Sequence, residues 1–177
     1  MTIDEVLEAG TCPAMAILRG IEPDESITIG AACIEAGVRL IEVPLNSPRP
    51  YESIERLVRS FGSEAAIGAG TVLTEAQLRS VIDTGASFAV SPNFDRAVVE
   101  TARNARFEFL PGVMTPNEAI AAATAGSTRL KLFPAASMGP SHARALSAVI
   151  DPAVRVWAVG GIDAGDAKEW ISAGCEG

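Results

Sequence analysis

One histidine, two lysines and three cysteines are all that 177 residues offer of the side chains that most often do chemistry. A single imidazole, His142, all but excludes a metal centre built on histidine, which needs several such ligands. Cys12, Cys33 and Cys175 lie far apart and form no CxxC pair, which fits reduced thiols in a cytosolic protein. Long apolar runs are absent as well. Each is broken within a few residues by glycine, proline or a charge, far short of the about 20 residues of a membrane span. The opening stretch MTIDEVLEAG holds acids and no base, so a secretory signal is not expected there. The net charge is −8 with scattered basic residues, which argues against nucleic acid or anionic membrane as a partner. A cytoplasmic protein with no metal and no other cofactor is the expectation.

What is present is apolar and regularly spaced. Hydrophobic residues make up 48% of the chain and the mean hydropathy is +0.26, enough for a folded core. Apolar runs begin at Ala14 (AMAIL), Val38 (VRLIEV), Ala65 (AAIGAG), Ser87 (SFAV), Phe107 (FEFL), Thr128 (TRLKLF) and Val154 (VRVWAV). Their starts are 20 to 27 residues apart, the span of one strand, one helix and two short loops.

Helix signals fill the gaps. Thr74-Glu75-Ala76-Gln77 and Thr115-Pro116-Asn117-Glu118 are capping boxes, the second with proline at the first helical position. Asp163 is placed to cap a last helix whose apolar side would include Ala167, Trp170 and Ile171. Ile27, Ala31 and Ile34 should line the first crossover helix, and Ile54, Leu57, Val58 and Phe61 the second. Gly37, Gly62, Gly85, Gly126 and Gly174 fall where helices should end, a position glycine takes cheaply in the left-handed conformation.

This even alternation predicts a parallel sheet covered by helices. Seven strand-helix units fit, and the chain stops at Ala173–Gly177, where an eighth strand should begin. The expected fold class is therefore α/β, a parallel (β/α)8 TIM barrel in a single domain, residues 1–177. Its eighth strand-helix unit, about 25 to 30 residues at this pitch, would be missing from the chain.

Such barrels do their chemistry at the C-terminal ends of the strands. The residues expected there are Arg19, Glu42, Thr71, Ser91-Pro92-Asn93, Pro111-Gly112, Lys131 and Gly160-Gly161. Lys131 lies between two leucines just before a Phe-Pro stop. A buried ammonium is costly, and the usual response is a neutral, nucleophilic amine able to form a Schiff base. A lysine that snorkels or faces solvent is the plainer alternative. Side-chain parity places Lys131 on one face with Arg129 and Phe133, leaving Leu130 and Leu132 to pack on helices. The same parity lets Glu42 point inward at the rim, as an acid/base group or as a charge partner of Lys131 or Arg19. Gly160-Gly161 before a helix start reads as an anion cradle, though a plain turn explains it too. In GAGT the glycines are expected to permit close backbone packing, with Thr71 offering a hydroxyl.

Taken in order, ILRG (17–20), IEVPLNSP (41–48), GAGTVL (68–73), SPN (91–93), PG (111–112), LKLFP (130–134) and AVGGI (158–162) resemble the 2-keto-3-deoxy-6-phosphogluconate/galactonate aldolase family. These are class I enzymes. PLNSP after the glutamate strand and Val159 before Gly160-Gly161 resemble the galactonate branch rather than the gluconate one. The resemblance implies that Lys131 forms the Schiff base and Glu42 moves protons. Arg19 and Thr71 would bind the carboxylate end of the substrate. Pro92, Phe133 and Val159 would line the substrate, and Gly160 and Gly161 would hold its phosphate. The implied partners are a phosphosugar acid and pyruvate, and the implied assembly is a homotrimer. A gluconate-specific or dual-specific aldolase is the first alternative, and a phosphosugar isomerase or epimerase, or a non-catalytic sugar-phosphate-binding barrel, are the others.

Overall fold

A computed structural model describes residues 1–177, which form two compact units, Met1–Val90 and Ser91–Gly177. The first unit runs α1 (Ile3–Glu8), β1 (Met15–Ile17), α2 (Pro23–Glu35), β2 (Leu40–Pro44), α3 (Pro50–Phe61), β3 (Ala66–Gly70), α4 (Glu75–Asp83) and β4 (Phe88–Val90). Its strands pair in parallel and in chain order, with Ile17 beside Glu42, Glu42 beside Gly68 and Gly68 beside Phe88. Every residue of β2, β3 and β4 is buried, as expected of parallel strands covered on both faces. Leu40, Ile41, Ile54, Leu57 and Leu78 are fully enclosed. Each contributes about 1.5–3 kcal/mol of transfer free energy by that burial.

α2 does not bury the face its apolar spacing suggests. Pro23, Ser26 and Gly30 are buried, while Ile27, Ala31 and Ile34 are half-buried. The reason is a close helix crossing: a Cβ on Gly30 would sit 2.6 Å from Leu57 Cδ2 on α3. α1 was not evident from the spacing of apolar runs. Thr2 and Glu5 cap it reciprocally, and Ile3 and Val6 anchor it in the core.

The second unit runs α5 (Arg96–Ala105), β5 (Glu108–Leu110), β6 (Gly112–Val113), α6 (Pro116–Ala125), β7 (Arg129–Leu132), α7 (Pro140–Ser147), β8 (Arg155–Ala158) and α8 (Ala167–Ser172). β5 and β6 are one expected strand interrupted at Pro111, which has no N–H to give to a ladder. β6, β7 and β8 pair in parallel, with Gly112 beside Lys131 and Lys131 beside Trp157. Beyond α8 the backbone returns along β8. Glu176 N–H donates to the Val156 carbonyl at 2.7 Å, and Ala158 N–H to the Gly177 carbonyl at 2.9 Å.

Both expected capping boxes form, at Thr74–Gln77 and Thr115–Glu118. Asp163 caps a short 3₁₀ turn (Ala164–Asp166) rather than α8 itself. On α8 only Trp170 of the expected apolar side is buried. Ile171 is 46% exposed and Ala167 faces solvent. Among the expected helix-end glycines, Gly62 departs from the left-handed pattern with φ −61°. No helix is long and apolar enough to cross a membrane.

Candidate active site

In the first unit, Glu42 sits at the middle of β2, not at its end, because the strand continues through Val43 and Pro44. It is 2% exposed. Its carboxylate lies over Gly70, the last residue of β3: a Cβ there would stand 1.7 Å from Oε2 and 2.5 Å from Cδ. Gly68, one step back on the same face, is covered by the Phe88 ring at 2.4 Å from such a Cβ. The glycines of GAGT therefore make room for side chains, where close backbone packing was expected. Thr71 follows directly, half-buried and left-handed at φ 58°, a conformation that costs a β-branched residue strain and occurs mostly where surroundings enforce it.

Arg19 is exposed, two residues past β1. Its Nη1 donates to Asn46 Oδ1 at 2.9 Å, and the N–H of Gly20 donates to Ser47 Oγ at 3.0 Å. The loops after β1 and β2 are thus joined at two consecutive residues. Leu18 N–H also donates to the Glu42 carbonyl at 2.9 Å. These bonds set Arg19 at the carboxyl end of the strand that carries Glu42.

In the second unit, Lys131 is the penultimate residue of β7 and is 7% exposed. Leu130 and Leu132 point the other way, into the cluster of Val113, Ala119, Ala122, Leu146, Val156 and Trp170. The parity read from TRLKLF holds. Lys131 Nζ stands 5.0 Å from the centre of the Phe133 ring, within cation–π range. Phe133 in turn leans on Gly160, where a Cβ would meet the ring at 3.0 Å. Pro92 borders Gly112, the neighbour of Lys131 in register, and there the approach is truly backbone to backbone: a Cβ on Gly112 would lie 2.2 Å from the Pro92 carbonyl carbon.

Val159 follows β8, and its carbonyl accepts from Ala135 N–H at 2.8 Å. The Gly160 carbonyl accepts from Ala136 N–H at 3.0 Å. With those carbonyls engaged, Gly160 and Gly161 both turn left-handed, at φ 100° and 73°. Gly161 is also tight against Ala136, with 2.9 Å between a built Cβ and that methyl. Larger residues would be strained at either place. Lys131, Phe133 and Gly160 are thus brought together.

One network escaped the sequence. Arg129, two residues before Lys131 on the same face, is 6% exposed. Its Nε donates to Glu176 Oε2 at 2.7 Å, and its Nη1 lies 3.5 Å from Glu108 Oε1. Trp157 Nε1 donates to the same Glu176 oxygen at 2.7 Å. The partners are 47 and 19 residues away along the chain, so no local spacing signals them. Cys175 beside this network is buried, which pushes its thiol up to about 11 and leaves it unreactive. Cys12 is exposed and Cys33 half-buried.

Residues 3–176 match the aldolase family described as KDPG and KHG aldolase. The chain belongs to that family. A probable 2-dehydro-3-deoxy-6-phosphogalactonate aldolase of Rhizobium meliloti (strain 1021) is 47% identical over 150 residues, which is 85% of this chain and 71% of that one. The 2-dehydro-3-deoxy-6-phosphogalactonate aldolase of Escherichia coli (strain K12) is 41% identical over 165 residues, 93% of this chain and 80% of that one. Among solved structures, a native KDPGal structure superposes with a TM-score of 0.91 at 41% identity, covering 94% of this chain and 81% of the other. The KDPG aldolase of Legionella pneumophila, with pyruvate captured as a covalent carbinolamine intermediate, gives 0.89 at 28% identity over 99% of this chain and 84% of that one. The fold of the KDPG and KHG aldolases, parallel strands alternating with helices, is this chain's fold.

Proposed function

We propose that the chain is a class I aldolase that cleaves 2-dehydro-3-deoxy-6-phospho-D-galactonate to pyruvate and D-glyceraldehyde 3-phosphate. The observation that carries this is Lys131: one of two lysines, held on a buried strand of a chain 41% identical to a 2-dehydro-3-deoxy-6-phosphogalactonate aldolase and 47% identical to a probable one. The reaction calls on the free amine of Lys131 as its nucleophile. Lys131 Nζ adds to the C2 ketone, water leaves, and a protonated imine forms. Glu42 takes the proton of the C4 hydroxyl, the C3–C4 bond breaks, and its electrons flow into the imine to give an enamine. The aldehyde departs. The enamine is protonated at C3, and water hydrolyses the imine to release pyruvate and the amine. The imine is the electron sink, so this route calls on no metal ion.

The remaining residues bind. Arg19 and Thr71 take the carboxylate end, Pro92, Phe133 and Val159 line the chain of the sugar acid, and Gly160 and Gly161 hold the phosphate. Unspent N–H groups on two left-handed glycines ahead of a helical turn support that last role. A homotrimer in the cytoplasm completes the reading, on the strength of the family resemblance.

Borohydride reduction in the presence of pyruvate tests the chemistry. A pyruvyl adduct mapped to Lys131, absent from Lys131→Met, is the expected result. An intact protein with no adduct, or Lys131→Met with normal turnover, would refute the imine. Cleavage rates on both C4 epimers test the substrate, and a preference for the gluconate epimer would overturn the galactonate assignment.

A further inference from the structure

Arg19 differs from Arg49 and Arg56, the other arginines near the loops after β1 and β2, in the partner it takes. Arg49 pairs with Glu22 and Glu52, and Arg56 with Asp24 and Glu52. Arg19 has no carboxylate in ion-pairing reach, and its side-chain partner is the neutral amide of Asn46. A guanidinium only donates, so the amide oxygen must face it, which fixes the amide's orientation. Asn46 is itself held in place, because the adjoining Ser47 is 7% exposed and receives the Gly20 N–H. An aspartate at position 46 would make the same contact more strongly, but would cancel the charge it holds.

We propose that Asn46 is a positioning residue that aims the Arg19 guanidinium while leaving its positive charge unspent for the carboxylate of a 2-oxo acid. This rests on the reading of Arg19 as a carboxylate-binding residue. The neutral amide is the essential feature: it supplies direction without neutralisation.

The test uses the full chain and follows the pyruvate concentration that half-saturates borohydride trapping, together with the maximal extent of trapping and the melting temperature. Asn46→Ala is expected to raise the half-saturating concentration about fivefold, the scale of one ordinary solvent-exposed hydrogen bond, with maximal trapping unchanged. Asn46→Asp should raise it further, about tenfold or more, while the melting temperature holds or rises. On an Arg19→Ala background, Asn46→Ala should add nothing. A merely structural Asn46 would behave differently, since aspartate would then rescue both stability and pyruvate affinity. Wild-type affinity in Asn46→Asp, or additive losses with Arg19→Ala, would overturn the inference while leaving Arg19's role intact. An Arg19→Ala variant of undiminished affinity would overturn the carboxylate-binding reading itself, and this inference with it.

Discussion

Gly70→Ala places a methyl group against the carboxylate proposed to move protons. The added Cβ would lie 1.7 Å from Glu42 Oε2, and the oxygen must retreat by roughly 1.7 Å to reach the 3.4 Å of ordinary contact. Glu42 is 2% exposed on a fully buried strand, so it has little free volume to move into. A displacement above 1 Å in a group that handles protons is worth about 10²-fold in rate, or roughly 2.7 kcal/mol of barrier. Turnover of the phosphosugar acid should therefore fall by about two orders of magnitude. Lys131 lies on a different strand, so some borohydride-trapped pyruvate should persist. Gly68→Ala is the control, because its methyl meets the Phe88 ring instead. Overpacking there should cost about 1–3 kcal/mol of stability, a drop of very roughly 2–12 °C in melting temperature for a domain of this size. The rate of the folded fraction should be spared. If Gly70→Ala turned over within about threefold of the parent at equal stability, either the carboxylate is not held as described or Glu42 does not move the protons.

Three further substitutions address stability. Hydrogen bonds from the N–H groups of Met114 and Thr115 and the Thr115 hydroxyl, that of Met114 contributing most, hold the Glu118 carboxyl below its ordinary 4.5. A lowered value in the folded state means stability that is present above the ordinary value and is lost as pH falls through the folded one. Glu118→Gln should therefore melt below the parent at pH 7 and converge with it in acid, whereas a gap independent of pH would count against the charge. Thr115→Ala removes the other half of that cap, at about 1 kcal/mol and 2–4 °C. Glu176→Ala leaves the buried Arg129 guanidinium with Glu108 and strands the Trp157 indole, which should cost about 3 kcal/mol in chemical denaturation. An unchanged midpoint would show that Glu176 does not satisfy them.

Periodicity and parity were enough to order the strands and helices, because burial between helices and a sheet imposes its pattern on each local stretch. TRLKLF already set Lys131 opposite the leucines, and Thr-x-x-Gln and Thr-x-x-Glu already marked two helix starts. Where that logic went astray, the cause was a neighbour distant in the chain. α2 turned its Gly30 face inward because Leu57 needed the space, and Glu42 proved to be mid-strand because Pro44 still pairs in register with Gly70. The sequence by itself determined the fold class, the family and the strand face on which Lys131 lies. Only tertiary structure decided why position 70 must be glycine, what directs Arg19 and what neutralises Arg129. Each of those depends on residues 21 to 47 apart meeting at hydrogen-bond, ion-pair or contact distance, and no local pattern encodes such a meeting.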